Sequence, residues 1–291
     1  MKNKIYINEL SLDGQYESVE EFVVKNKPFI FSLNWLQKQG WDIFKKSTLY
    51  EAPITSEHKM FDLRNWKGSS VHGERDLLLK YKRILLAAED NPPFWDADGV
   101  NHDGKYYLFD SDISDSSVAE ACEHSKTLLS FGNEVYEDQN LVVDKNHQET
   151  IDVASITSMR FLAKVLYVKS FLTINEYIKL YYKNTKLNFS KIEEEYGLQG
   201  LEKQEIEDCL KSFERFVSHS NWENLNTDRS LNFKEYSPSS SKDDWFKNSK
   251  YKDKNIYKFR CGNPKRCYGY REEDQFYVLR IERDHKISDK G

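Results

Sequence analysis

Ile256-Tyr-Lys-Phe-Arg-Cys261, Arg266-Cys-Tyr-Gly-Tyr-Arg271 and Gln275-Phe-Tyr-Val-Leu-Arg-Ile-Glu282 are three runs rich in aromatic and β-branched residues, separated by Gly262-Asn-Pro264 and Glu272-Glu-Asp274. Such side chains suit a pleated, half-buried surface, and the residues between them suit turns. The pattern predicts a compact antiparallel meander of three strands over 256–287. Its polar residues alternate with apolar ones: Lys258, Arg260, Arg266, Tyr268, Tyr270, Arg271, Tyr277, Arg280 and Arg283, followed by His285 and Lys286. A period of two puts about half of them on one face.

Upstream, Ser237-Pro-Ser-Ser-Ser-Lys-Asp-Asp244 combines a helix breaker, small polar residues and charge without apolar periodicity, and reads as a linker. Before it the chain is helical. Ile206, Leu210, Phe213 and Val217 form one stripe of a helix over about 202–218, and 155–183 reads as two helices, the second capped by Thr173. Leu77, Leu78, Tyr81, Ile84, Leu85 and Ala88 predict another helix over 74–89.

The first part of the chain mixes both periods. Ile5 to Leu10 reads as a strand, Ser18-Val-Glu-Glu21 as a capping box, and Lys105–Phe109 and Thr127–Phe131 as strands, with a short helix capped at Ser116-Ser117. Phe29 to Leu36, after Pro28, fits either a helix or a strand. The expectation is an α+β chain: a mixed N-terminal region (1–150), a helical region (151–236), and a basic β unit (245–291) that can pack with the N-terminal region as one domain.

Charge is segregated along the chain. Residues 242–291 carry a net +5 and the rest −10, within a total of −5 over 291 residues. A basic end on an acidic body points to a polyanionic partner for that end, or to a solvated tail. Aromatics reach 14% of the chain, too many for a disordered one. No apolar run approaches the roughly 20 residues of a spanning helix, and Met1-Lys-Asn-Lys4 leads into a strand, not an export signal. Cys122, Cys209, Cys261 and Cys267 lack metal-knuckle spacing. A cytoplasmic protein without membrane contact, disulfides or cofactor is expected.

The basic meander carries the candidate chemistry. Arginine offers phosphate a planar donor fork, tyrosine can stack on an unpaired base, and histidine can move a proton near neutral pH. Cleavage of RNA through its 2′-hydroxyl needs a base, an acid and cations on the phosphoryl oxygens, and no metal. Arg271, Tyr277, Arg280 and His285 are the candidate catalytic residues; Lys258, Arg260, Lys265, Arg266, Arg283 and Lys286 are the candidate nucleic-acid ligands. The acidic loop Asp96, Asp98, Asn101 and Asp103, with Asp110, Asp112 and Asp115, departs from a calcium loop, with Gly99 fourth and Tyr107 twelfth, and is read as solvated. Cys122 and His124 share one short helix and cannot face one point as a nucleophile pair.

Three groups of segments carry a resemblance: Tyr6-Ile-Asn-Glu-Leu-Ser-Leu-Asp-Gly-Gln15; Asn91-Pro-Pro-Phe-Trp-Asp96 with Ser117-Val-Ala-Glu-Ala-Cys122 and Leu128-Leu-Ser-Phe131; and Arg266–Arg271 with Phe276–Ile281 and His285-Lys-Ile287. Together they resemble a family of uncharacterised bacterial proteins from genomic neighbourhoods that carry toxins and phage defence. The last 30 or so residues are similar to the final strands of RelE-like ribonuclease toxins, small sheets that cleave RNA without metal. Arg215-Phe-Val-Ser-His219 is similar to the Arg-to-His motif of HEPN ribonucleases, with three intervening residues where that family has four to six. The resemblances imply a metal-independent ribonuclease, a toxin or anti-phage effector. The alternative is a non-enzymatic subunit that binds nucleic acid and a protein partner of a defence or toxin–antitoxin system.

Overall fold

Ile5, Tyr6, Ile7 and Asn8 are all buried: the strand they form, β1 (Lys4–Asn8), lies inside a mixed sheet, and Tyr6 packs on one face of it with Val118, Ala119 and Cys122. A computed structural model describes residues 3–67, 72–83, 94–99, 102–284 and 286–287. The chain divides into two units, Met1–Leu162 and Ala163–Gly291. The chain mixes helix and sheet, with eight α-helices and two sheets among the described residues. No described helix is long and apolar enough to cross a membrane.

In the first unit β1 is followed by α1 (Val19–Lys25), α2 (Lys27–Lys38), β2 (Asp42–Phe44), α3 (His72–Tyr81), β3 (Tyr106–Leu108), β4 (Ser111–Asp112), α4 (Ser117–Glu123), β5 (Leu128–Ser130), β6 (Gln139–Lys145) and β7 (Glu149–Ile156). The boundary falls inside α5 (Met159–Val168). The sheet order is β2-β1-β5-β7-β6-β3-β4, parallel through β7 and antiparallel beyond it. Ser18 caps α1 by accepting the Glu21 N–H at 3.1 Å, and Glu21 returns the contact to the Glu17 N–H. The ambiguous Phe29–Leu36 segment is helical, since Pro28 sits in the first turn of α2, where its missing N–H has no helical partner to lose. Of the helix expected over 74–89, residues 84–89 lie outside the described residues. Ser155 belongs to β7, so the helix expected from that residue begins four positions later.

The second unit continues with α6 (Ile174–Tyr181), β8 (Leu187–Asn188), α7 (Lys203–Ser218), α8 (Trp222–Thr227), β9 (Lys234–Glu235), β10 (Ile256–Arg260), β11 (Arg266–Glu272) and β12 (Gln275–Glu282). Thr173 caps α6 in a reciprocal box with Glu176. The meander is present, but the sheet has five strands where three were expected, in the order β8-β12-β11-β10-β9. β8 pairs parallel to β12 and β9 antiparallel to β10. Two-residue strands carry no readable period, and their role is to cover edges that would otherwise stand open.

Both faces of this sheet are buried. On one, Phe213 and Phe216 of α7 reach Phe259 and Phe276, with ring centroids 4.8 Å apart for Phe216 and Phe259 and 5.6 Å for Phe216 and Phe276. The buried stripe of α7 is Cys209, Phe213 and Phe216, rotated from the expected Ile206, Leu210, Phe213 and Val217. On the other face Tyr236, Phe246 and Tyr251 pack against Ile256, Tyr268, Tyr270 and Leu279. The Ser237–Asp244 stretch lies within the second unit and leads directly into this cover.

Candidate functional site

The cover over the sheet decides the fate of several cations. Arg280 is buried, with its Nε 2.9 Å from Glu193 Oε2 and Nη1 donating to the Trp245 carbonyl at 2.5 Å. Its guanidinium lies 4.6 to 5.1 Å from the ring centroids of Tyr196, Trp245 and Phe246. Lys258 is buried with its ammonium 5.7 Å from the Tyr236 ring, and Lys265 is buried against Glu205 at 2.5 Å. Arg283 donates to the Gln199 carbonyl, and Lys286 pairs with Asp284 at 2.5 Å. A guanidinium held between three rings and a carboxylate is packing that happens to be charged.

The other candidate catalytic residues stand apart. Arg271 is exposed, stacked 4.2 Å over the Trp222 ring, with Nε donating to the Glu273 carbonyl. Tyr277 is half-buried and stacks on Tyr270 at 5.3 Å. His285 lies outside the described residues. Arg271 is five residues along β11 from Arg266, a separation of roughly 17 Å at strand rise. Arg280 pairs with Tyr268 and Tyr277 with Tyr270, whereas Arg271, one residue beyond Tyr270, points to the opposite face and stacks on Trp222, so these three do not meet at one point.

The structure does bring two others together. Arg260 and Arg266 are directly opposite each other on β10 and β11, at the end of the sheet where the 261–265 hairpin turns. With Ser212, Ser230, Gly262 and Asn263 they line a pocket of about 450 Å³. Gly262 makes the turn with φ +86°, and a Cβ there would press at 3.3 Å on Asp208 of α7, so the hairpin lies against that helix. Arg260 Nη1 donates to the Arg229 carbonyl at 3.3 Å, and Arg266 Nη1 to the Pro264 and Lys265 carbonyls at 2.9 and 2.8 Å. Neither forms an ion pair among the described residues. Burial first, and the Arg260 charge second, push the Arg266 pKa below the ordinary guanidinium value. Like charges directly opposite on a sheet are destabilising; on its other side Arg266 faces Glu282 of β12, whose charge partly offsets that of Arg260 without forming an ion pair with Arg266 among the described residues.

Beside the pocket, Asp228 is a buried hub. Its Oδ1 accepts the N–H groups of Ser230 and Leu231 at 2.8 and 3.2 Å, and its Oδ2 meets Arg215 Nε at 2.5 Å and His219 Nε2 at 2.8 Å. Burial opposes its ionisation, but Arg215, His219 and the two backbone donors outweigh it and hold the carboxyl below the ordinary range. The Leu231 carbonyl in turn accepts the Arg260 N–H at 2.7 Å, joining this hub to the pocket wall. Ser212, Ser230 and Asp228 carry no signal in the sequence, because they lie 30 or more residues from Arg260 or in irregular backbone.

Elsewhere the polar groups serve the fold. The C-terminal ends of β1, β5 and β7 are tied by buried contacts, among them Asn8 Nδ2 to Ser130 Oγ at 3.0 Å and Ser130 to Ser155 at 2.6 Å. These fill with the chain's own side chains the place where parallel sheets commonly hold ligands. Glu9 beside them is buried, with Oε1 on the Ser117 N–H at 2.9 Å and Oε2 without a partner, and burial raises its pKa. In the acidic loop Asp96 binds Ser47, Asp112 binds Ser114, and Asn101 is outside the described residues. No group of three or more His, Cys, Asp or Glu among the described residues is arranged to hold a metal. All four cysteines are free and buried. In comparisons with known proteins, no family model, no curated protein and no solved structure matches this chain.

Proposed function

We propose that the protein binds RNA through the pocket framed by Arg260 and Arg266. The observation that supports this is the cross-strand pair of arginines, neither held in an ion pair among the described residues, lining one pocket with serine and asparagine. A phosphodiester is a fitting occupant, because its two non-bridging oxygens accept from both guanidinium forks and from hydroxyl and amide donors. The nearby charge is net positive over 242–291, which extends attraction along a backbone of several phosphates.

Cleavage of the bound RNA is the second reading, favoured by Arg215 and His219, which meet on Asp228 next to the pocket. The biological setting, a toxin or anti-phage effector acting alone or with a protein partner, is carried by the sequence resemblance alone. Equilibrium binding of a labelled single-stranded RNA tests the proposal against the Arg260→Gln/Arg266→Gln variant. Affinity should fall at least about tenfold, roughly the loss of one charge-assisted contact. Equal affinity with an unchanged circular dichroism spectrum would remove the pocket from any role in RNA binding.

A further inference from the structure

We infer that the pocket between Arg260 and Arg266 takes the terminal phosphomonoester of an RNA strand in preference to the phosphodiesters inside it. This rests on the RNA-binding reading of the same pocket.

Three observations carry it. First, both arginines are anchored through the same nitrogen. Nη1 of Arg260 donates to the Arg229 carbonyl and Nη1 of Arg266 to the Pro264 and Lys265 carbonyls, so Nε and Nη2 of each have no partner among the described residues. Nε–H and Nη2–H lie along one edge of a guanidinium, and that edge can grip two oxygens at once. Main-chain bonds thus hold each fork in place and leave its gripping edge free.

Second, the pocket supplies two further donor groups. The Ser230 hydroxyl and the Asn263 amide make no side-chain hydrogen bond among the described residues, whereas the Ser212 hydroxyl is spent on the Asp208 carbonyl at 3.0 Å. A phosphodiester presents two non-bridging oxygens to these donors and a phosphomonoester presents three. Two forks and two single donors match three oxygens at two bonds apiece, and crowd two oxygens at three apiece.

Third, the pocket is built from three stretches of chain bonded to one another. The Leu231 carbonyl accepts the Arg260 N–H at 2.7 Å, and Cys209 Sγ of α7 donates to the Cys261 carbonyl at 2.9 Å, seating the hairpin on the helix. Proteins that track a strand do so with a groove. A bounded volume of about 450 Å³ is the size of a small-ligand site, which suits the last nucleotide of a strand.

Charge acts in the same direction. A monoester carries about −1.5 to −2 at neutral pH against about −1 for a diester, and its attraction to the two arginines scales with that charge. The carboxylates close by are already engaged. Glu282, behind Arg266, accepts from the Tyr268 hydroxyl at 2.9 Å and from the Ile287 N–H, and Asp208 meets Lys211 at 3.5 Å.

The test measures affinity for one single-stranded RNA sequence carrying a 5′-phosphate, a 3′-phosphate or hydroxyls at both ends. A hydroxyl-ended strand one nucleotide longer controls for added charge, and adenosine 5′-monophosphate is the small-molecule arm. At least one phosphorylated strand should bind about tenfold tighter than both hydroxyl-ended strands, and the arms show which end enters. In Arg260→Gln/Arg266→Gln that ratio should fall to within about twofold. Arg260→Gln alone, altered at an exposed side chain, should reduce it at least about threefold and decides the matter if the double variant does not fold. Equal affinity for all strands, or a preference that survives in both variants, would overturn the inference and leave the RNA-binding proposal standing. Adenosine 5′-monophosphate binding as tightly as the best strand, or no binding of any strand, would overturn both.

Discussion

Replacing Arg260 by glutamine separates an arginine kept for binding from one kept for stability, because the first role predicts a weaker salt dependence at nearly constant stability and the second the reverse. Arg260 faces Arg266 across β10 and β11 and makes one side-chain hydrogen bond, to the Arg229 carbonyl at 3.3 Å. At an illustrative separation of about 7 Å, two unit charges repel by roughly 0.6 kcal/mol in bulk water and roughly 2.4 kcal/mol at an effective dielectric of 20. Arg260 is exposed, so the lower figure applies. Losing one exposed hydrogen bond costs about 0.5 kcal/mol. The two changes nearly cancel, and Arg260→Gln should alter the unfolding free energy in urea by no more than about 0.5 kcal/mol. RNA binding, followed by fluorescence anisotropy between 50 and 300 mM salt as an assay range of about sixfold, should weaken roughly tenfold. The slope of log K against log salt should shrink by about 0.7, the value for one phosphate on a single strand. Destabilisation beyond about 1 kcal/mol together with an unchanged salt slope would refute the reasoning and make Arg260 a structural residue.

Arg280→Ala removes a buried guanidinium from Glu193, Trp245 and Phe246, and should destabilise the second unit by roughly 3 kcal/mol in chemical denaturation. Gly269→Ala should cost about 3 kcal/mol or more, because a Cβ at that bulge position would collide with the Tyr277 carbonyl and come within 2.8 Å of the Phe276 ring; soluble yield and melting temperature report it. Glu9 has a folded pKa raised by burial, so the unfolded chain releases its proton first and the native state loses stability as pH rises above about 4.3 towards the folded value. Glu9→Gln should therefore be more stable than the wild type at pH 7, with the difference closing below pH 4. Asp228 has the opposite sign: its pKa is depressed, so its contribution persists at neutral pH and is lost as pH falls below about 3.9 towards the folded value, a loss absent from Asp228→Asn in urea midpoints taken from pH 7 to pH 3.

The capping boxes at Ser18 and Thr173, the short helix from Ser117 and the three long strands of the meander were legible because each is a local pattern with a local cause. The β6–β7 hairpin was not. Leu141 and Val143 alternate with polar neighbours, but its turn uses Asn146 and His147 at φ +58° and +55°, where the recognisable signal is Asn-Gly. Charge was legible as composition and not as position. The same alternation that puts Lys258, Arg266 and Arg280 in one basic meander leaves open whether that face meets a ligand or the chain's own Tyr236, Phe246 and Tyr251.

By itself, then, the sequence determined that the chain ends in a basic antiparallel meander, since period-two alternation and turn residues act over a few neighbours. Only the tertiary structure decided that Arg280 and Lys258 are enclosed, that Arg260 and Arg266 stand paired at an open pocket, and that Arg215 and His219 share Asp228. The physical reason is that the worth of a charge depends on what desolvates or neutralises it, and those groups arrive from distant parts of the chain.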